Sequence, residues 1–237
     1  MRGLKRLRVV LTERDERLID ALQDFRVVTR EQAARIAGFG SVSRINARML
    51  ALVRAGHLTR RFSGQVGVGR KAVYGLPGAA KWNGSLLLHQ LALNDVHLVL
   101  SGSSDPRLLS WRRFMQPLAL DLPLIPDGLA LLQVQGTTYP VFLEIDRGTE
   151  SLAIIRQKAQ AYFRLALSGE FASLSLGTQF RVAVIATSRR RARNLASAIS
   201  TVTPKLFFIS DLESINRDGF FAPHWLRPGG TVAQPLF

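Results

Sequence analysis

Asp127, in Pro126-Asp127, and the pair in Glu144-Ile-Asp146 have the type and spacing for chemistry on a charged substrate. Two apolar runs between them flank Gln135-Gly-Thr-Thr138, a hairpin signal. With Gly136-Thr137 as the turn pair, Asp127 faces Asp146 and Leu129 faces Glu144. Along the second strand Val141, Leu143 and Ile145 point one way, and Phe142, Glu144 and Asp146 point the other. This register predicts three carboxylates at one end of the hairpin. Left alone they repel one another, and a hard divalent cation such as Mg²⁺ takes this kind of oxygen cluster. Asp127, Glu144 and Asp146 are therefore the candidate metal ligands.

The elements that must position them follow from periodicity. Residues 150–167 read as a helix with Leu152, Ile155, Ala159, Tyr162, Phe163 and Ala166 as its buried stripe. Lys158 falls about 80° from the centre of that stripe at 100° per residue, so its amine can extend along the sheet edge. Strands are expected at 180–187 and 205–209, with a helix at 189–200 between them. Helices flanking a mixed sheet are the implied architecture. The 189–200 helix opens on Arg189-Arg190-Arg191-Ala-Arg193, where cations oppose the helix dipole. A phosphate backbone would give that placement a reason, and a solvated helix start is the plain alternative.

Charge divides the chain. The 32 lysines and arginines exceed the 17 acids by 15, and residues 1–80 alone hold 16 basic against 6 acidic residues. Such an excess points to a polyanionic partner. Within residues 1–80, Thr12 caps a helix with Leu18, Ile19, Leu22 and Phe25 inward. Thr29 and Gln32 form a capping box for a short helix that Gly38 stops. A third helix runs from Ser41 or Ser43 to about Ala55. The helix-turn-helix so formed is followed by the segment 52–62, which passes into a strand, and by a partner strand at 71–76 across a glycine-rich loop, the pattern of a winged helix. Ser43, Arg44, Asn46 and Arg48 on the third helix, with Arg60, Arg61, Arg70 and Lys71 around the loop, are the candidate contacts to double-stranded DNA.

Other chemistries find little support. The chain has no cysteine, and His57, His89, His97 and His224 lack metal-ligand spacing. The glycines at 64, 67 and 69 precede no Gly-Lys-Ser/Thr, which argues against a nucleotide loop. The apolar stretch 86–100 is interrupted by His89, Asn94, Asp95 and His97 and cannot span a bilayer. No secretory signal core is apparent, so a cytoplasmic location is expected.

Pro126-Asp127, the hairpin, Glu144-x-Asp146 and a helix carrying Gln157, Lys158 and Tyr162 together resemble the PD-(D/E)xK restriction-endonuclease-like nucleases. The chain also resembles the replication-relaxation family of plasmid and mobile-element proteins, over most of residues 10–210. That likeness rests on the winged helix, His89-Gln-Leu-Ala-Leu-Asn94, Pro126-Asp127-Gly128 and Glu144-Ile-Asp-Arg-Gly-Thr149. It implies an α+β chain of three parts: a winged helix at 1–80, a nuclease-like domain at 85–222 and a C-terminal tail at 223–237. Its implied partners are double-stranded DNA and replication, conjugation or transposition proteins, with a homodimer as one form. Asp127, Glu144, Asp146 and Lys158 become the implied catalytic set. Asp146 departs from the nuclease pattern, which has lysine two positions after the glutamate. Either Lys158 substitutes from the helix, or Asp146 pairs with Arg147 or Arg156 and the scaffold is inactive. Three functions follow: a DNA-binding accessory protein, a Mg²⁺-dependent endonuclease, or a repressor whose second domain dimerises.

Overall fold

The computed structural model describes residues 9–62, 71–78, 84–118, 123–173, 177 and 179–237. The chain divides into two compact units, residues 1–98 and 99–237. Among the described residues no helix is long and apolar enough to cross a membrane.

In the first unit α1 (Glu13–Phe25), β1 (Val27–Thr29), α2 (Arg30–Ala37) and α3 (Val42–Ala55) precede β2 (Thr59–Phe62) and β3 (Ala72–Gly75). The three strands form an antiparallel sheet in the order β1-β3-β2. Capping sets the helix starts as expected. The Thr29 hydroxyl accepts from Gln32 N while the Gln32 side chain accepts from Thr29 N. Gly38 ends α2 at φ 69°. Leu18, Leu22, Val28, Ile45, Met49 and Leu52 form the centre of the core. The short β1 was not anticipated, because three residues carry no readable alternation.

The helix α4 (Gly84–Ser101) falls mostly in this unit, whereas the sequence reading gave it to the second domain. Its polar residues explain the difference. Asn94 donates to the carbonyls of Phe25 and Val27 at 3.3 and 2.6 Å. Gln32 donates to Leu91 O and to the Asp95 carboxylate at 2.9 and 2.7 Å. The polar interruptions of the apolar run are therefore its anchors, since buried carbonyls need donors.

The second unit is built on a five-stranded sheet in the order β4 (Arg107–Arg112), β5 (Gly128–Val134), β6 (Thr137–Asp146), β7 (Arg181–Ala186), β8 (Phe207–Asp211). The pairs β4-β5 and β5-β6 are antiparallel, and β6-β7 and β7-β8 are parallel. The helices α5 (Leu152–Ser168) and α7 (Arg189–Ser200) supply the two parallel crossovers. Between them lies α6 (Glu170–Ser173), and α8 (Leu212–Asp218) follows β8. Phe142, Ile155, Tyr162, Phe171, Phe180, Leu195 and Ile199 join one core beneath α5 and α7.

Two expectations are corrected here. The stripe on α5 is Ile155, Ala159, Ala161, Tyr162 and Leu165, with Ala166 exposed. Residues 223–237, expected as a C-terminal tail, are tied into the second unit. Leu226 bridges Ile209, Trp225 bridges Gln234, and the fully buried Trp225 indole donates to Phe220 O at 2.8 Å.

Candidate functional site: a carboxylate–lysine cluster

The β5–β6 hairpin turns on Gln135-Gly136, one position earlier than expected. Both residues have positive φ, 48° and 82°, as a two-residue type I′ turn requires. Gly128 therefore pairs with Leu143 and Leu129 with Phe142. Every pairing slips by two, so faces are kept but partners change. Continuing the register puts Asp127 opposite Glu144 instead of Asp146. The Asp127 carboxylate accepts a hydrogen bond from Ile145 N at 2.7 Å.

Glu144 is 6% exposed, on the sheet face that α5 covers. Lys158 and Tyr162 are four apart on that helix and so share a face. The Tyr162 hydroxyl donates to Glu144 Oε1 at 2.6 Å, and Lys158 Nζ lies 3.3 Å from Oε2. Lys158 also lies 3.2 Å from Glu150 Oε2. Burial, followed by the charge of Asp127, pushes the Glu144 carboxyl up to about 7; Lys158 and Tyr162 pull the other way. The Lys158 ammonium loses solvation on burial, but Glu144, Glu150 and Asp127 together raise it above its ordinary value. It answers to three carboxylates and stays charged whichever of them takes a proton. Tyr162 is raised well above its ordinary value by burial and by Glu144.

Asp146 stands apart from this cluster. Arg191 grips it with two hydrogen bonds of 2.9 Å and donates to Glu150 O at 2.7 Å. Gly148 N adds a bond at 2.8 Å. The expected grouping of Asp127, Glu144 and Asp146 is thus corrected, because a bidentate guanidinium binds Asp146 more completely than a shared ion would. Its partner is neither Arg147 nor Arg156. Among the described residues no group of three or more His, Asp or Glu side chains is placed to hold a metal. What is left is a pair, Asp127 and Glu144. Their mutual repulsion suits a Mg²⁺-like ion, which takes one or two carboxylates and keeps waters or phosphate oxygens elsewhere.

The basic candidates divide in the same way. Ser43, Arg44 and Asn46 are exposed at the start of α3, and Arg30 donates to Asn46 at 3.4 Å. Arg48 is corrected: it pairs with the buried Asp15 and donates to Val10 O, so it secures α3 to α1. Arg60, Arg61 and Lys71 are exposed, with Arg60 over the Phe62 ring at 5.3 Å. Arg70 and the loop at 63–70 lie outside the described residues. Arg189 and Arg190 are exposed, whereas Arg191 is occupied by Asp146.

Sequence reasoning missed Glu150 as a partner of Lys158, and the role of the Tyr162 hydroxyl. The second had a signal in the four-residue spacing from Lys158. His224, which showed no ligand spacing, is buried against Ser210 Oγ at 2.7 Å and Gly219 O at 2.7 Å. Both ring nitrogens are engaged, which makes it a packing residue.

Residues 77–174 match the replication-relaxation family model, a shorter span than the 10–210 over which the likeness was read. The match holds Asp127, Glu144, Glu150, Lys158 and Tyr162, and excludes Arg191 and α1–α3. Among solved structures, the chain is similar to EndoMS in its apo form, at 13% identity and a TM-score of 0.25. That similarity covers 60% of this chain and 62% of the other, less than two thirds of its length. No curated protein matches.

Proposed function

We propose that this chain, whose residues 77–174 match the replication-relaxation family model, is a DNA-binding accessory protein of plasmid or mobile-element replication, relaxation or transfer. Its first unit acts as a winged helix on duplex DNA. Its second carries a nuclease-like site directed at a phosphodiester. The order α1-β1-α2-α3-β2-β3 supports the first assignment, together with exposed Ser43, Arg44 and Asn46 where a recognition helix meets base edges. Arg60, Arg61 and Lys71 supply cations for the flanking backbone.

The observation that carries the second assignment is Lys158, whose Nζ lies 3.3 Å from Glu144. The nuclease pattern has lysine two residues after the glutamate, and here Asp146 holds that position. Lys158 brings the cation to the same carboxylate from α5. A cation there stabilises negative charge developing on a phosphorane and orients the attacking water. Tyr162 fixes Oε1 of Glu144, which leaves Oε2 on the Lys158 side. A divalent ion held by Asp127 and Glu144 would supply Lewis-acid stabilisation of the phosphate.

A second reading, an inactive scaffold that holds DNA or a transfer partner, is favoured by one observation. Lys158 sits between Glu144 and Glu150, already neutralised on both sides. Incubating the intact protein with supercoiled plasmid and Mg²⁺ or Mn²⁺ separates the two. Nicking that Lys158→Ala abolishes, with DNA affinity retained, supports the enzyme. Absence of nicking, alone and with transfer proteins, leaves the scaffold. Duplex binding should weaken with salt at a slope of about −4 to −5 in log–log form, for roughly four to six neutralised phosphates. Salt-independent binding would remove the DNA assignment.

A further inference from the structure

A cavity of the second unit lies at the other end of the sheet from Glu144. It occupies about 590 Å³ and is lined by Tyr139, Arg181, Lys205, Phe208 and Arg227, among others. Because β6, β7 and β8 run parallel, their starting ends meet here, and the carboxylates sit at the finishing end of β6.

Three cations face this cavity without an ion pair between any of them and a carboxylate among the described residues. Aromatic rings hold the guanidiniums. Arg181 lies 4.6 Å from the centroids of Tyr139 and Phe237 and 5.9 Å from that of Phe208. Arg227 lies 4.2 Å from the same Phe208 ring and donates to Pro204 O at 3.2 Å. Burial depresses both guanidiniums, and the charge of Arg181 further depresses Arg227. Two partly desolvated like charges sharing one ring are costly unless an anion joins them. Rings stacked on the guanidinium faces leave the N–H edges available, and those edges form the fork that matches a tetrahedral oxyanion.

We propose that this cavity is a phosphate-binding site, distinct from the carboxylate cluster, in which Arg181, Arg227 and Lys205 bind one phosphate group. Three cations and no acid suit a multiply charged phosphate better than a lone carboxylate. The group belongs either to a nucleic-acid backbone or to a free nucleotide. The site does not rest on the DNA reading, since a nucleotide alone would satisfy it.

The test titrates the full chain with inorganic pyrophosphate, ATP, a 5′-phosphorylated single-stranded oligonucleotide and a blunt duplex. Binding is followed by calorimetry and by the arginine ¹⁵Nε resonances. The Nε signals of Arg181 and Arg227 should move with at least one probe. Lys205→Ala, a change at an exposed side chain, and Arg227→Gln should each weaken that binding about 10- to 100-fold. Arg227→Lys, which keeps the charge, should retain more of it than Arg227→Gln. Binding of pyrophosphate or ATP assigns a free phosphate source, and binding of the oligonucleotide alone assigns the backbone. The proposal is overturned if no probe moves those resonances at millimolar concentration. It is equally overturned if Lys205→Ala and Arg227→Gln, both folded by circular dichroism, bind as the parent does.

Discussion

Asp15 in the first unit and Glu144 in the second are both buried carboxylates facing a cation, yet they are pushed in opposite directions. Burial opposes ionisation of Asp15, but Arg48 and Thr12 outweigh it and hold the carboxyl at about 2. Glu144 has its own cation, but burial and the charge of Asp127 outweigh it, and it rises to about 7. The difference lies in what else shares the cation. Arg48 serves one carboxylate with two nitrogens, whereas Lys158 is divided between Glu144 and Glu150. An undivided pair secures structure, and a crowded one leaves charge for a ligand to meet.

Arg48→Ala gives the largest expected effect on stability, because it strands the buried Asp15. Denaturant unfolding at neutral pH should show a loss of about 2–3 kcal/mol. The folded Asp15 sits below its ordinary value of 3.8, so its contribution is present above that pH. It is lost as pH falls toward 2, and the variant should lack most of that acid-side loss. Unfolding unchanged by Arg48→Ala would break the comparison on its structural side.

Glu144→Gln tests the other side and has the opposite sign. A carboxyl raised from 4.5 to about 7 adds stability below 4.5 that is lost as pH rises through 7. The parent should lose about 3 kcal/mol across that window. Glu144→Gln should be flat there, since the amide oxygen still accepts from Tyr162. A parent curve that rises through this range would contradict the crowding.

Asp127→Asn sharpens the comparison by removing the crowding charge. The apo variant should be more stable than the parent by an amount on the order of 1 kcal/mol, read from denaturant unfolding. Millimolar Mg²⁺ or Mn²⁺ should stabilise the parent by about 1 kcal/mol and the variant hardly at all. Equal responses in parent and variant would remove Asp127 from the ligand set.

Arg44→Ala has the smallest expected effect on stability, within about 0.5 kcal/mol, because the side chain is exposed. In a duplex-binding titration it should nevertheless cost about 1–3 kcal/mol if it meets a base. Arg48, one turn along, would then show the reverse profile. A loss of melting temperature without loss of DNA affinity at Arg44 would undo the division of roles on α3.

Local chemistry was the legible part of this molecule. The Thr29–Gln32 box, the stop at Gly38 and the span of α7 depend on residues within one turn of each other. Lys158 was legible because helix geometry alone places it beside the stripe. The register was not, since Gln135-Gly136 and Gly136-Thr137 both read as turns and only the positive φ at Gln135 separates them. Nor was the fate of Asp146, whose partner Arg191 is 45 residues away and arrives with another helix. The strand β4 was missed for a related reason: Arg107–Arg112 lies at the sheet edge, largely exposed, and carries no apolar alternation.

The most direct measurement of the central claim is a carboxyl ¹³C NMR titration of Glu144 in the intact protein. A midpoint near 7 is expected, moving down in Asp127→Asn, with Tyr162→Phe moving it up through the lost donor. A midpoint below about 5, close to the ordinary glutamate value, would contradict the account. Glu144 would then be a settled ion pair like that of Asp15, and the crowding by Asp127 that sets this cluster apart would be absent.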